Sequence, residues 1–226
     1  MLSISATAEW RAAHPGASIG LLEMSGVANG DPSARLNERK REMEARVRER
    51  YRAFTRRDFV SLPVMAAYAQ YYKRFDKTYH VLQQVESIVS KGKSLPNVSP
   101  LVDANFMVEV DTLVLTAGHD VDKLHGAISI DVSRDGDQLT QMDGTPKTIR
   151  AGDMIMRDAK SICCSILYGQ DNRSPISVGT SHVLYVAYAP AGVPAPAVEA
   201  HLGAIEEHVR LVSPAAVREQ QQLLVA

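Results

Sequence analysis

From residue 106 onward the chain is written in short apolar runs of strand composition, and a chain with so many of them must build a sheet to bury them. FMVEV (106–110), TLVLT (112–116), AISIDVS (127–133), MIMRD (154–158), ICCSILY (162–168) and HVLYVAYA (182–189) are rich in β-branched and aromatic residues. Turn signals separate several of them: Asp135-Gly136-Asp137, Asp143-Gly144-Thr145-Pro146 and Ala151-Gly152-Asp153. SIGLLEMSGV (18–27) has the same strand character. Elsewhere the pattern is helical. Asp31-Pro32 supplies an N-cap and a first-turn proline, and Leu36, Met43, Val47, Tyr51 and Phe54 follow at helical spacing. These predict a helix over about 32–55 with a narrow apolar stripe. A short helix is expected around Ala6–Ala13. Another is expected from about Lys77 to Ser90, ended by Lys91-Gly92-Lys93. YAQYYKRF (68–75) reads as an irregular connection, with room for a short helix around 64–71. After the proline-rich GVPAPA (192–197), a helical segment is expected over about 198–226. The fold class expected is α+β: a mixed β-sheet core with flanking helices, in one domain over residues 1–226.

Composition narrows the function classes. Hydrophobic residues make up 45% and charged residues 23%, the balance of a soluble globular protein. No apolar run approaches bilayer length, and the N-terminus lacks a basic start followed by an apolar core, so a cytoplasmic protein is expected. Cys163 and Cys164 are neighbours, which suits two buried thiols rather than a disulfide framework or zinc knuckle. The histidines show no metal-ligand spacing, and no Walker loop, dinucleotide fingerprint or nucleophile elbow occurs. No metal and no cofactor are expected. Net charge is −1, yet residues 35–57 hold ten Lys/Arg against four acids. A basic helix on an acidic body can position a polyanion, which makes Arg39, Lys40, Arg46 and Arg50 candidate contacts; a solvated face is the plainer reading.

Chemistry-bearing residues concentrate in residues 94–126 and 165–189. Asn97, Asp103 and Asn105 stand at a helix-to-strand junction, where such residues cap turns or line a pocket. In Gly118-His119-Asp120-Val121-Asp122, a histidine beside two carboxylates is either a general base or part of a strand-end turn. Tyr168, Asn172, Arg173, Ser174 and Thr180 precede the strand holding Tyr185, Val186 and Tyr188; an ordinary polar loop would look the same.

The stretches N-x-x-x-L-V-D-x-N (97–105) and G-H-D-V-D-K-L-x-G (118–126) together resemble the editing, B3/B4-type domain of the phenylalanyl-tRNA synthetase β-subunit and its free-standing relatives. The likeness runs from about Trp10 to Pro190 and includes the W-x-x-x-H-P-G opening. It implies a trans-editing deacylase that hydrolyses the ester of a mischarged tRNA. Asn105, His119 and Asp120 would then stand at the reacting centre. Asp103, Asp122, Tyr168, Arg173, Ser174, Thr180 and Val186 would stand around the substrate. Embedded members carry H-A-F-D; aligning its aspartate on Asp120 puts Ala117 at the family histidine. Their specificity glutamate falls on Val186. Tyrosine editing is therefore not expected. Asp120, Asp122 and Glu109 near the pocket suit a guanidine-like side chain, in keeping with the canavanyl-tRNA(Arg) deacylase subgroup. The other reading is a non-catalytic tRNA- or amino-acid-binding module; hydrolysis of a small ester or amide is a third. The expected partner is tRNA, without a membrane, and the oligomeric state stays open.

Overall fold

The computed structural model describes residues 2–226. Its strands are β1 (Ile4–Ala6), β2 (Ser18–Ser25), β3 (Thr116–Asp120), β4 (Ile128–Val132), β5 (Gln138–Thr140), β6 (Pro146–Thr148), β7 (Met154–Arg157), β8 (Ile162–Ser165), β9 (Gly169–Gln170), β10 (His182–Ala189) and β11 (Val217–Val225). The helices are α1 (Ala8–Ala13), α2 (Ala34–Arg50), α3 (Arg56–Ser61), α4 (Pro63–Lys73), α5 (His80–Lys91), α6 (Pro100–Thr112) and α7 (Ala195–Val212). One sheet is antiparallel throughout, in the order β11-β2-β10-β3. The second runs β1-β4-β7-β8-β9 and is mixed, because β1 pairs parallel with β4. Helices α2, α5, α6 and α7 pack on one another, with α6 against β3 and α7 against β2 and β10. This is the expected α+β class.

The first sheet is the centre of the core. Seven of the eight β10 residues are buried, so the strand is apolar on both faces. Gly20 of β2 lets α7 approach. A Cβ there would come within 2.6 Å of Val198 Cγ1 and 3.0 Å of Leu202 Cδ1. A side chain at position 20 would push the helix off the sheet.

Helix α2 forms where its stripe predicts, although its N-cap is Ser33, whose hydroxyl accepts from Leu36 N, rather than Asp31. The buried stripe is Leu36, Lys40, Met43, Glu44 and Val47. Two charged residues therefore sit on the inward face. The Lys40 ammonium donates to Pro96 O and Asn97 Oδ1 at 2.8 Å each, and to Asp103 Oδ2 at 2.6 Å. All three donors are used inside the protein, which removes Lys40 from the candidate RNA contacts. The helical spacing from Leu36 carried that signal.

Three readings are corrected. FMVEV and the start of TLVLT are not strands but lie in α6. Ser99-Pro100 opens the helix with proline at its first position, and Leu113 ends it in a left-handed conformation at φ 68°. The helix is buried on nearly every side, so its sequence shows neither alternation nor an amphipathic stripe, and its β-branched composition misleads. YAQYYKRF is helical as far as Lys73 in α4, so the short helix allowed around 64–71 forms and is longer than expected. Tyr68, Tyr71 and Tyr72 share one inward face, and their hydroxyls donate to Tyr188 O, Asp153 Oδ1 and Ile166 O at 2.6 Å each. Burying a tyrosine ring is favourable once its hydroxyl has a partner. Finally, residues 217–225 form β11 along β2, not a continuation of the C-terminal helix. Open hydrogen-bonding groups on the β2 edge outweigh the helical preference of the glutamine-rich segment.

Candidate active site

Strand β3 ends its sheet, and its outer side, bridged to the chain at His119 and Pro175, forms one wall of a cavity. Tyr188 N donates to Leu115 O, which sets the alternation. Ala117 and His119 therefore pair with β10, while the peptide groups of Thr116, Gly118 and Asp120 turn outward. Helix α6 and the segment after β8 satisfy most of these groups. Thr116 N donates to Glu109 Oε1 at 2.7 Å, and Asn105 Nδ2 donates to Thr116 O at 3.2 Å. Asn105 and Glu109, one helical turn apart, thus clasp a single residue of the strand. Gln170 Nε2 donates to Gly118 O at 2.8 Å, and Asp120 N to Ser174 O at 2.9 Å. The Gly118 N–H remains open on this edge, with no partner among the described residues.

The cavity between β3, α6 and the β8–β9 segment has a volume of about 380 Å³, enough for an amino-acid side chain and its ester. Val102, Phe106, Leu115, Ile166 and Ile176 make its walls mostly apolar. Polar groups enter at a few points. Asn105 Oδ1 is buried there without a hydrogen-bond partner, and the Tyr188 hydroxyl faces the Cys164 thiol. Buried polar atoms are rarely left unpaired, because desolvation without a bond costs about 1–3 kcal/mol. Burial pushes the Glu109 carboxyl up to about 8, partly offset by the Thr116 N–H. Burial thus favours its protonated form at neutral pH. Its Oε1 accepts from Thr116, so the other oxygen carries the proton and acts as a donor. Space beside Gly118 is tight. A Cβ would lie 2.6 Å from Ile176 Cδ1 and 3.2 Å from the Tyr185 ring.

Of the predicted site residues, Asn105 lines the cavity and most of the others do not. His119 is fully buried; its Nδ1 meets Ser174 Oγ at 2.8 Å, and Ser174 Oγ donates to Asp171 Oδ1 at 2.5 Å. The hydroxyl stands between carboxylate and imidazole and gives its proton to the carboxylate, so the imidazole does not activate it. Burial, then Arg173, lowers His119 to about 3, and the ring stays neutral. Asp120 accepts from Thr180 Oγ1 at 2.7 Å and caps the 3₁₀ turn at Val121–Lys123. Arg173 is held by Asp158 Oδ2 at 2.8 Å and Lys123 O at 2.9 Å. Asp103 holds Lys40 and accepts from Val98 N. Asp122 is exposed, and Val186 is buried in β10 away from the cavity lining. Tyr168 adjoins the lining residues Gly169 and Gln170. Gln170, Gly118 and the main chain of Thr116 escaped notice because their roles follow from which edge of β3 is open.

Both cysteines are free and buried, and burial pushes the Cys163 thiol up to about 12. Neither is poised as a nucleophile. Among the described residues, no His, Cys, Asp and Glu cluster could hold a metal ion, and no helix is long and apolar enough to cross a membrane. Arg39 pairs with Glu42, and Arg46 and Arg50 pair with Asp111, all on the surface.

Among solved structures, the chain is similar to an N-terminal fragment of the phenylalanyl-tRNA synthetase beta-subunit from Pyrococcus horikoshii, at 7% identity and a TM-score of 0.48. The match covers 98% of this chain and 50% of that fragment, so the chain spans half the fragment's length. No curated protein matches by sequence. The family model of the B3/4 domain matches residues 64–214, which take in α4 to α7 and every residue lining the cavity. This chain belongs to the B3/4 domain family.

Proposed function

We propose that the protein is a trans-editing aminoacyl-tRNA deacylase of the cytoplasm, holding the wrong amino acid in the cavity beside β3. The observation that carries this reading is one cavity wall on which Asn105 Oδ1 is buried without a partner, beside the outward-turned Gly118 N–H and the Glu109 carboxyl, whose protonated form burial favours. An aminoacyl ester is already activated, so water needs positioning more than a strong base. Water held by Asn105 Oδ1 adds to the ester carbonyl, and the Gly118 N–H meets the oxygen that becomes negative. Collapse of the adduct breaks the bond to the ribose oxygen. That oxygen takes up the proton lost by the water, relayed by the neighbouring ribose hydroxyl. The products are the free amino acid and uncharged tRNA.

Glu109 supports canavanyl-tRNA(Arg) as the substrate. A protonated carboxyl donates to the side-chain oxygen of canavanine, whereas arginine offers a methylene and leaves the donor unpaired. The test is a panel of correctly and wrongly charged tRNAs, with loss of the aminoacyl bond as readout. Acceleration on canavanyl-tRNA(Arg) over arginyl-tRNA(Arg) is expected; no acceleration on any species would leave a non-catalytic binding module.

Glu109→Gln provides a second check through pH. The native carboxyl titrates near 8, well above its ordinary value of 4.5, so the native state keeps a proton that the unfolded chain releases between those values. Stability therefore falls as pH rises from about 4.5 to 8. Glutamine removes that slope and raises stability at pH 8 by on the order of 1–3 kcal/mol. Deacylation by the parent declines above about pH 8 as the donor ionises, and the variant's profile stays flat there. Parallel denaturation and rate profiles for both proteins decide it.

A further inference from the structure

The basic helix α2 contributes no residue to the cavity, yet a cationic cluster gathers on Tyr168, next in the chain to the lining residues Gly169 and Gln170. Lys77 Nζ lies 4.2 Å from the centroid of the Tyr168 ring, and Lys147 Nζ lies 5.9 Å from the same centroid. Lys77 comes from the segment before α5, and Lys147 from β6. Neither ammonium has a carboxylate within ion-pair distance among the described residues, whereas Arg150 beside them reaches Asp76 Oδ2 at 3.2 Å. Tyr168 leads directly into Gly169 and Gln170 of the cavity wall; His80, three residues after Lys77, and Met142 of the β5–β6 hairpin line the same cavity. Two ammonium groups on one ring repel each other, and only the ring face and the more distant Asp153 carboxyl offset that among the described residues. Burial, then Lys147 and Arg150, holds the Lys77 ammonium below its ordinary range. An anion between them would remove the repulsion, and the adjoining ring offers a stacking surface.

We propose that Lys77, Lys147 and Tyr168 form the docking site for the phosphodiester backbone of a single-stranded RNA 3′ end, directing its terminal ribose into the cavity. This rests on the cavity being the aminoacyl-ester site. It names a partner surface other than α2, whose Arg39, Arg46 and Arg50 are each paired with an acid. Two phosphate contacts on a single strand correspond to a salt slope of about 1.4 in log K against log salt.

The test measures binding of an uncharged short RNA ending in CCA across a salt series, alongside deacylation of charged tRNA and of a phosphate-free aminoacyl ester. Lys77→Glu with Lys147→Glu should weaken RNA binding at least about tenfold at low salt and flatten the salt slope by about 1.4. KM for charged tRNA should rise while turnover of the phosphate-free ester stays unchanged. Tyr168→Leu should weaken binding with no change in slope. Unchanged binding in the lysine variant, with loss in Arg39→Glu/Arg46→Glu, overturns the proposal and moves the strand to α2. No RNA affinity in the parent protein at low salt overturns it too, while ester turnover then decides separately whether the cavity is a deacylase. RNA binding through the lysines without hydrolysis of any aminoacyl ester keeps this surface and removes the deacylase reading.

Discussion

Asn105→Ala is expected to lower kcat/KM for the mischarged tRNA by about 100-fold or more, with the protein still folded. The side chain has two tasks. Its Nδ2 holds Thr116 O, and its Oδ1 faces the cavity unpaired. Alanine removes the unpartnered acceptor that α6 presents to the cavity, and under the proposed mechanism a water misplaced by an ångström costs about 100-fold. It also leaves Thr116 O without its donor, at about 1–3 kcal/mol. Rate and stability therefore have to be measured together. Asn105→Asp separates the tasks, since it keeps an acceptor and loses the donor to Thr116. If the alanine variant turns over substrate at the parental rate, Asn105 merely braces β3 and the reacting centre lies elsewhere.

Lys40→Met is the largest expected loss of stability. Methionine fits the volume but strands Asp103 Oδ2, Asn97 Oδ1 and Pro96 O without the ammonium, leaving the carboxylate only its Val98 N–H on Oδ1. Breaking a buried ion pair from one side costs about 3–5 kcal/mol. For a chain of this size that lowers Tm by about 6–20 °C. The double variant Lys40→Met/Asp103→Leu should recover a large part of the loss, because removing both charges avoids the stranded carboxylate. Asp103 lies half a turn from Asn105, so the single variant should also reduce activity by loosening the start of α6. A thermal melt of the four proteins in this cycle measures the coupling. A Tm within a degree or two of the parent for Lys40→Met would mean that the ammonium is not held as described.

The same buried pair shows how far charge runs can be read. Lys40 stands in a segment of ten basic residues, and composition alone marks it as a surface cation. Its spacing from Leu36, Met43 and Val47 puts it inside. In α6 the failure ran the other way. Its apolar run reads as two strands because burial on nearly all sides erases the helical stripe. Asn105 was legible as a pocket residue through its family-like surroundings, and Glu109 as a carboxylate nearby, but not the clasp that the two make on Thr116. His119 and Asp120 looked catalytic by residue type. The alternation of β3 aims the peptide groups of Thr116 and Gly118 outward from the sheet, while His119 Nδ1 and the Asp120 carboxylate brace the following turn and loop.

Local sequence therefore determined what depends on neighbours along the chain: the α+β class, the turn glycines, the stripe of α2, and the apolar strands β2, β4, β7, β8 and β10. Tertiary structure alone decided which edge of β3 stays unpaired, which carboxyl is buried without a cation and so stays neutral, and which lysines meet over one ring. Each of those depends on groups brought together from distant parts of the chain. Burial and hydrogen-bond satisfaction, which set the chemistry of a polar group, are properties of that assembly.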